Sequence, residues 1–149
     1  MNNKRKSSTN KEILVDTTFL LPALGIDVEE EVYRAIEKFG KYEICYLDVS
    51  LLEAMWVILK KVDFKYKNLI KTGLESIKNN YKKLDITSEH LIKAWEIYEK
   101  AHNDFIDNLL YAVSIIEKKP LLTLDKKLKK NLKNAGYPVA NIIFPNELN

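Results

Sequence analysis

Ile13-Leu14-Val15-Asp16 is an apolar run too short for a helix, and it stops on a carboxylate where a helical segment starts. Leu121-Leu122-Thr123-Leu124-Asp125 repeats the pattern near the other end of the chain. Each reads as a short, fully buried strand. In an open parallel sheet, ligands bind outside the carboxyl ends of the strands. Two aspartates placed at such ends can therefore meet in one crevice.

The chain between and around these runs alternates strands with helices. Strand one is expected over residues 12–16, followed by a short helix over 17–24 that Gly25 ends. A helix follows over 28–39, with Val32, Ala35, Ile36 and Phe39 on one face and Gly40 as its stop. Residues 42–47 read as strand two, and 50–62 as a helix with Leu52, Met55, Trp56 and Leu59 as its inner stripe. A further helix spans 64–79, and 83–87 is a short strand. Residues 88–100 form a helix with Leu91, Ala94, Trp95 and Tyr98 on one side. Residues 104–118 give the most apolar helix, through Phe105, Ile106, Leu109, Leu110, Ala112, Val113 and Ile116. After the strand at 121–124 comes a lysine-rich helix to Asn134, then a last strand over 139–144. This order implies an α/β fold: a mostly parallel sheet of four or five strands, flanked by helices on right-handed crossovers.

At 149 residues the length suits one domain, expected over 11–149, behind a disordered basic tail over 1–10. The net charge of +3 is unevenly placed. Residues 1–11 hold Lys4, Arg5, Lys6 and Lys11 and no acid, a charge of +4, so residues 12–149 carry 3 − 4 = −1. That near-neutral body is not a general nucleic-acid coat. Lysines do gather locally, with Lys126, Lys127, Lys129, Lys130 and Lys133 following Asp125. A single cysteine, Cys45, rules out an intrachain disulfide or a cysteine-based zinc site. No apolar stretch approaches the roughly 20 residues of a membrane span, and the polar N-terminal segment lacks the core of a secretory signal. A cytoplasmic protein is the expectation. Lysine outnumbers arginine 22 to 2 and glutamine is absent, a bias shared by hyperthermophile proteins and by AT-rich genomes.

Every acidic residue near a helix start has a plain structural reading. Asp16 and Asp125 can cap the helices that follow them. Ser50 and Glu53 have the spacing of a capping box. Asp104 and Asp107 lie in a first turn, where the helix dipole favours negative charge. Capping does not require two of the caps to end separate buried strands, however, and Asp107 lies too deep to cap if Asp104 does. At spacing i, i+3 these two carboxylates share a face and repel unless a cation lies between them. Carboxylates without cysteine or histidine partners suit a hard divalent ion, Mg²⁺ or Mn²⁺. Two such ions would clamp the attacking water and the leaving oxygen of an in-line phosphoryl displacement. The set points to metal-dependent phosphodiester chemistry.

Four stretches together carry a resemblance. They are Leu14-Val15-Asp16-Thr17-Thr18, Ser50-Leu51-Leu52-Glu53, Asp107-Asn108-Leu109-Leu110-Tyr111-Ala112 and Leu121-Leu122-Thr123-Leu124-Asp125. In order and spacing, over residues 13–144, the chain resembles the PIN-domain ribonucleases, which include the toxins of VapBC-type toxin–antitoxin pairs. The resemblance implies a three-layer α/β sandwich and a metal-dependent endoribonuclease. By that analogy Asp16, Glu53, Asp107 and Asp125 would be catalytic and would hold Mg²⁺ or Mn²⁺, with Asp104 acting instead of, or beside, Asp107. Thr18 and Thr123 match positions where relatives often carry a hydroxyl near the metals. Arginine, common around the site in toxin members, is nearly absent, so lysines such as Lys126 and Lys127 would have to hold RNA. An antitoxin partner and a homodimer through the helix of Met55 and Trp56 are further implications. A module that binds RNA or protein without cutting is the alternative, and an aspartyl-phosphate mechanism at Asp16-Thr17-Thr18 a weaker one, since Thr18 stands where such loops carry a second aspartate. His90 and His102 are set aside as general bases, because neither has a nucleophile near it in sequence.

Overall fold

The computed structural model describes residues 10–149. The tail expected over residues 1–10 falls, apart from Asn10, outside that range. Five parallel strands form one sheet: β1 (Lys11–Val15), β2 (Tyr42–Tyr46), β3 (Lys82–Lys83), β4 (Leu121–Leu122) and β5 (Ile142–Ile143). Their spatial order is β3-β2-β1-β4-β5. The chain therefore builds outward from β1 on one side through β2 and β3, then returns to lay β4 on the other side. That reversal beside β1 is a topological switch point, where the loops after β1 and β4 splay apart and leave a crevice. Leu14 faces Leu121, and Val15 faces Leu122, in the register of this central pair.

The sheet separates two cores because successive side chains on a strand point to opposite faces. Ile13 and Val15 join Phe19, Leu20, Ile44, Tyr46, Ala54, Ile58, Ile70 and Ile77 on one face. Leu14 joins Cys45, Leu47, Ala94, Ile97, the run Leu109–Val113, Leu121, Leu128 and Leu132 on the other. The first core is closed by a 3-10 segment (Thr17–Leu24) with α1 (Glu30–Ile36), α2 (Asp48–Lys61) and α3 (Lys67–Asn80). The second is closed by α4 (Ser88–Lys100), α5 (Phe105–Glu117) and α6 (Lys126–Asn134). This is the helix-flanked parallel sheet expected from the alternating pattern and the three-layer arrangement that the resemblance implied. No helix among the described residues is long and apolar enough to cross a membrane.

Several elements differ from the sequence expectation. The strands expected at 121–124 and 139–144 shorten to Leu121–Leu122 and Ile142–Ile143, and the one expected at 83–87 lies at Lys82–Lys83, sharing only Lys83 with that range. The helix expected over 28–39 is confined to Glu30–Ile36, with a separate 3-10 turn at Phe39–Lys41. The inner faces of α2 and α4 are rotated by about one residue from the expected stripes, and only Ala94 of the α4 stripe and, in part, Met55 of the α2 stripe turn inward. On α2 the buried residues are Ser50, Ala54 and Ile58, while Leu52, Trp56 and Leu59 are exposed and Met55 is half-buried. On α4 they are His90, Ala94 and Ile97, with Leu91, Trp95 and Tyr98 outside. Ala54 and Ala94, each fully buried, sit at the centre of these faces, where a small side chain permits close packing.

Close approach also explains one glycine. Gly73 of α3 lies against the 3-10 segment so tightly that a Cβ there would overlap the Ala23 carbonyl oxygen. Gly25 ends that segment at φ 80°, the left-handed conformation that favours glycine.

Candidate metal centre

β1 delivers Asp16 to the crevice, and the turn after it fixes the side chain. Thr18 donates its backbone N–H to Asp16 Oδ1 at 3.0 Å, as in an N-cap. Thr123, just past β4, donates its hydroxyl to Asp16 Oδ2 at 2.6 Å and accepts the Asp125 N–H at 3.0 Å. One hydroxyl thus links the two aspartates that end the central strands. Asp125 caps α6 by accepting the Leu128 N–H at 2.9 Å through Oδ1. Capping and crevice placement coexist in both residues: Asp125 caps through Oδ1 alone, and Asp16 accepts from Thr18 on Oδ1 and from Thr123 on Oδ2, each oxygen keeping a further lone pair.

Glu53 reaches the same crevice from α2, but not through the capping box its spacing suggested. The helix starts at Asp48, two residues before Ser50, and Ser50 is buried with its hydroxyl unpartnered. Glu53 instead accepts a short hydrogen bond from Thr17 Oγ1. Asp104 is the N-cap of α5, taking the N–H groups of Ile106 at 3.1 Å and Asp107 at 3.2 Å, and it is exposed. Asp107, one turn on, points into the crevice beside Asp125.

Asp16, Thr17, Thr18, Glu53, Asp104, Asp107 and Asp125 line one open crevice of ≈ 410 Å³. One donor atom each from His102, Asp107 and Asp125 lie within 4.8 Å of one another. Lys126 and Lys127 occupy the exposed first turn of α6, next to Asp125.

Crowding shows in the electrostatics. Burial raises the Asp16 carboxyl to about 6; the bonds from Thr123 and Thr18 oppose the shift, and Glu53 and Asp125 add to it. Burial pushes Asp107 well above the carboxylate range, helped by the facing Asp125 and by Asp104. Carboxylates that hold protons this strongly lack a compensating positive charge. The donors are hard oxygens from Asp16, Glu53, Asp107 and Asp125, the set that Mg²⁺ or Mn²⁺ takes, so these residues fit such an ion.

Sequence reasoning passed over three participants. Thr17 was overshadowed by Thr18, yet its hydroxyl is the one bound to Glu53. His102 was set aside, but the loop before α5 folds it onto Asp107, 3.1 Å from Nε2 to Oδ2. Asn131, five residues after Lys126 in α6, approaches His102 Nδ1 at 2.9 Å. Only proximity in space signals the last two. His90 is occupied elsewhere, bonding the Thr87 N–H at 3.0 Å and Glu117 at 2.8 Å.

Comparison with known proteins gives a consistent picture of the fold. A profile of the PIN domain family matches residues 13–133. A search of curated proteins returned no significant match. Among solved structures, a toxin–antitoxin complex from Klebsiella pneumoniae aligns with TM-score 0.64 at 14% identity, covering 89% of this chain and 97% of that one. PAE2754 from Pyrobaculum aerophilum aligns with TM-score 0.63 at 17% identity, covering 95% and 94%. VapC20 of Mycobacterium tuberculosis, a Sarcin-Ricin loop cleaving toxin, aligns with TM-score 0.62 at 16% identity, covering 85% and 96%. At these identities the likeness is one of fold.

Proposed function

We propose that this chain, which belongs to the PIN domain family, is a metal-dependent endoribonuclease that hydrolyses RNA phosphodiester bonds at the crevice between β1 and β4. The observation that carries the reading is the meeting of Asp16, Glu53, Asp107 and Asp125 at one crevice, from four separate elements. Stability alone gives no reason to gather four acids there, since their mutual repulsion is costly. The complete acidic set also weighs against a non-catalytic binding module.

Bound Mg²⁺ or Mn²⁺ would supply positive charge for the phosphoryl transition state and ease deprotonation of a water. The chain's own residues supply the rest. Asp16, Glu53, Asp107 and Asp125 would hold the ion, with Asp104 at the rim. Thr123 and Thr17 hold Asp16 and Glu53 in place. Asp107 and Asp125, facing each other, offer carboxylate oxygens that can take a proton from the attacking water. Lys126 and Lys127 give the RNA backbone cations next to the acids, so binding is expected to weaken with salt.

A toxin role with an antitoxin partner extends the same proposal. It is supported by the fold shared with a toxin–antitoxin complex and a toxin. Leu52, Trp56 and Leu59 on α2 leave apolar area for a protein partner, either an antitoxin or a second copy of this chain. The test is incubation of the protein with a mixed pool of structured and unstructured RNAs in EDTA, Mg²⁺ or Mn²⁺. Cutting in either metal and none in EDTA is expected. RNA retention without cutting in any metal would return the choice to the binding module.

A further inference from the structure

His102 stands in the loop between α4 and α5 and is only 4% exposed. Both ring nitrogens are engaged. Nε2 lies 3.1 Å from Asp107 Oδ2, and Nδ1 lies 2.9 Å from the side-chain nitrogen of Asn131. An amide nitrogen offers hydrogens and no lone pair, so Nδ1 accepts from Asn131. A neutral ring then carries its proton on Nε2 and donates it to Asp107. Asn131 comes from α6, the helix that Asp125 caps, so the contact ties two of the acid-bearing elements together.

We propose that His102, oriented by Asn131, is a positioning residue that holds the Asp107 carboxylate in register for the divalent cation. The inference rests on the metal-dependent reading of the crevice. The terminal torsion of an aspartate is broad, so a lone Asp107 would sample several orientations. A buried donor on Oδ2 narrows them. Outer partners of this kind commonly orient ligands and tune metal affinity.

The same geometry argues against His102 as a ligand itself. Its free lone pair is on Nδ1 and is taken up by Asn131, while Nε2 presents a hydrogen. The backbone of His102 is anchored independently of the ring: its carbonyl accepts from Asn108 Nδ2 at 2.7 Å, and its N–H bonds the Ile97 carbonyl at 3.1 Å. Changing the ring should therefore leave the loop in place.

Two measurements decide the matter. Long-range ¹H–¹⁵N NMR of the metal-free wild type should show His102 with its Nε2 protonated and facing Asp107; the Nδ1–H tautomer would overturn the proposal. Mn²⁺ binding followed by electron paramagnetic resonance should weaken 10- to 100-fold in His102→Leu. His102→Gln, whose amide can donate to Oδ2, should recover most of that loss, and Asn131→Leu should fall between. Equal affinity in wild type and His102→Leu would overturn the role of His102 alone. A directly coordinated ¹⁴N on the Mn²⁺ would also overturn it, by making His102 a ligand. A wild type that binds no Mn²⁺ would remove the metal-dependent reading and this inference with it. Should His102→Leu fail to fold, the tautomer and Asn131→Leu still decide.

Discussion

Thr123 donates its hydroxyl to Asp16 Oδ2 at 2.6 Å, joining the ends of two adjacent parallel strands that lie 107 residues apart in the chain. The same oxygen accepts the Asp125 N–H. A hydrogen bond to a charged group is worth about 1.5–3 kcal/mol. Thr123→Val keeps the shape and removes both bonds, so Mn²⁺-dependent cleavage should fall about ten- to a hundredfold. Thr123→Ser should restore most of it. Parallel cleavage assays of the two variants check this, and a valine variant as active as wild type would remove Thr123 from the site.

The raised Asp16 and Asp107 carboxyls link stability to pH. Their folded values lie above the unfolded ones, so the folded state binds more protons. That stability is present below the ordinary aspartate value near 4 and is lost as pH rises through about 6, Asp16's folded value, and beyond for Asp107. Without metal, the protein should be less stable at pH 8 than at pH 5, by roughly 1.4 kcal/mol from Asp16 alone. Mg²⁺ or Mn²⁺ should reverse the loss at pH 8. Urea denaturation in EDTA and in metal at both pH values is the check. A metal-free protein that gains stability between pH 5 and 8 would contradict the site's electrostatics.

Gly73→Ala sets two effects against each other. Helix propensity favours alanine by about 1 kcal/mol. Overlap of the new Cβ with the Ala23 carbonyl forces helix α3 away from the 3-10 segment, and overpacking of this kind costs about 1–3 kcal/mol. The obstacle is backbone and cannot swing aside, so a net loss is expected in the urea midpoint.

Lys118 ends α5 in the left-handed conformation, φ 58° and ψ 48°, and it is the one non-glycine residue with positive φ among those described. Glycine adopts this geometry without a Cβ penalty. Lys118→Gly should raise stability by about 0.5–1 kcal/mol without touching the crevice. Calorimetric melting of the variant tests it.

The strands of this fold were legible where burial is complete. Ile13-Leu14-Val15 and Leu121-Leu122 are buried on both faces, so an unbroken apolar run marks each, and the aspartates that follow mark the crevice. Helix orientation was not legible in the same way. On α2 the larger apolar stripe of Leu52, Trp56 and Leu59 outscored Ser50, Ala54 and Ile58 on hydrophobicity, but the second set faces the core, with Ala54 at its centre, where a small side chain permits close packing. Glu53 was found through its motif, although the bond that holds it comes from Thr17, 36 residues away. His102 stood out only as one of two histidines, with no neighbour in sequence to give it a role, and Asn131 carried no sequence signal at all. Their 29-residue separation closes only when α5 and α6 pack on the same face of the sheet.

The most direct measurement compares RNA cleavage in Mn²⁺ by wild type and Asp16→Asn, alongside their melting temperatures at pH 8 in EDTA. The substitution keeps the shape of the side chain while removing one carboxylate charge. Cleavage should fall a hundredfold or more, since losing a metal ligand removes several kcal/mol of transition-state stabilisation, at about 1.4 kcal/mol per tenfold in rate. The melting temperature should hold or rise, because a crowded, partly buried charge has gone. Undiminished Mn²⁺-dependent cleavage by a folded Asp16→Asn variant would contradict the assignment of this crevice as the catalytic site.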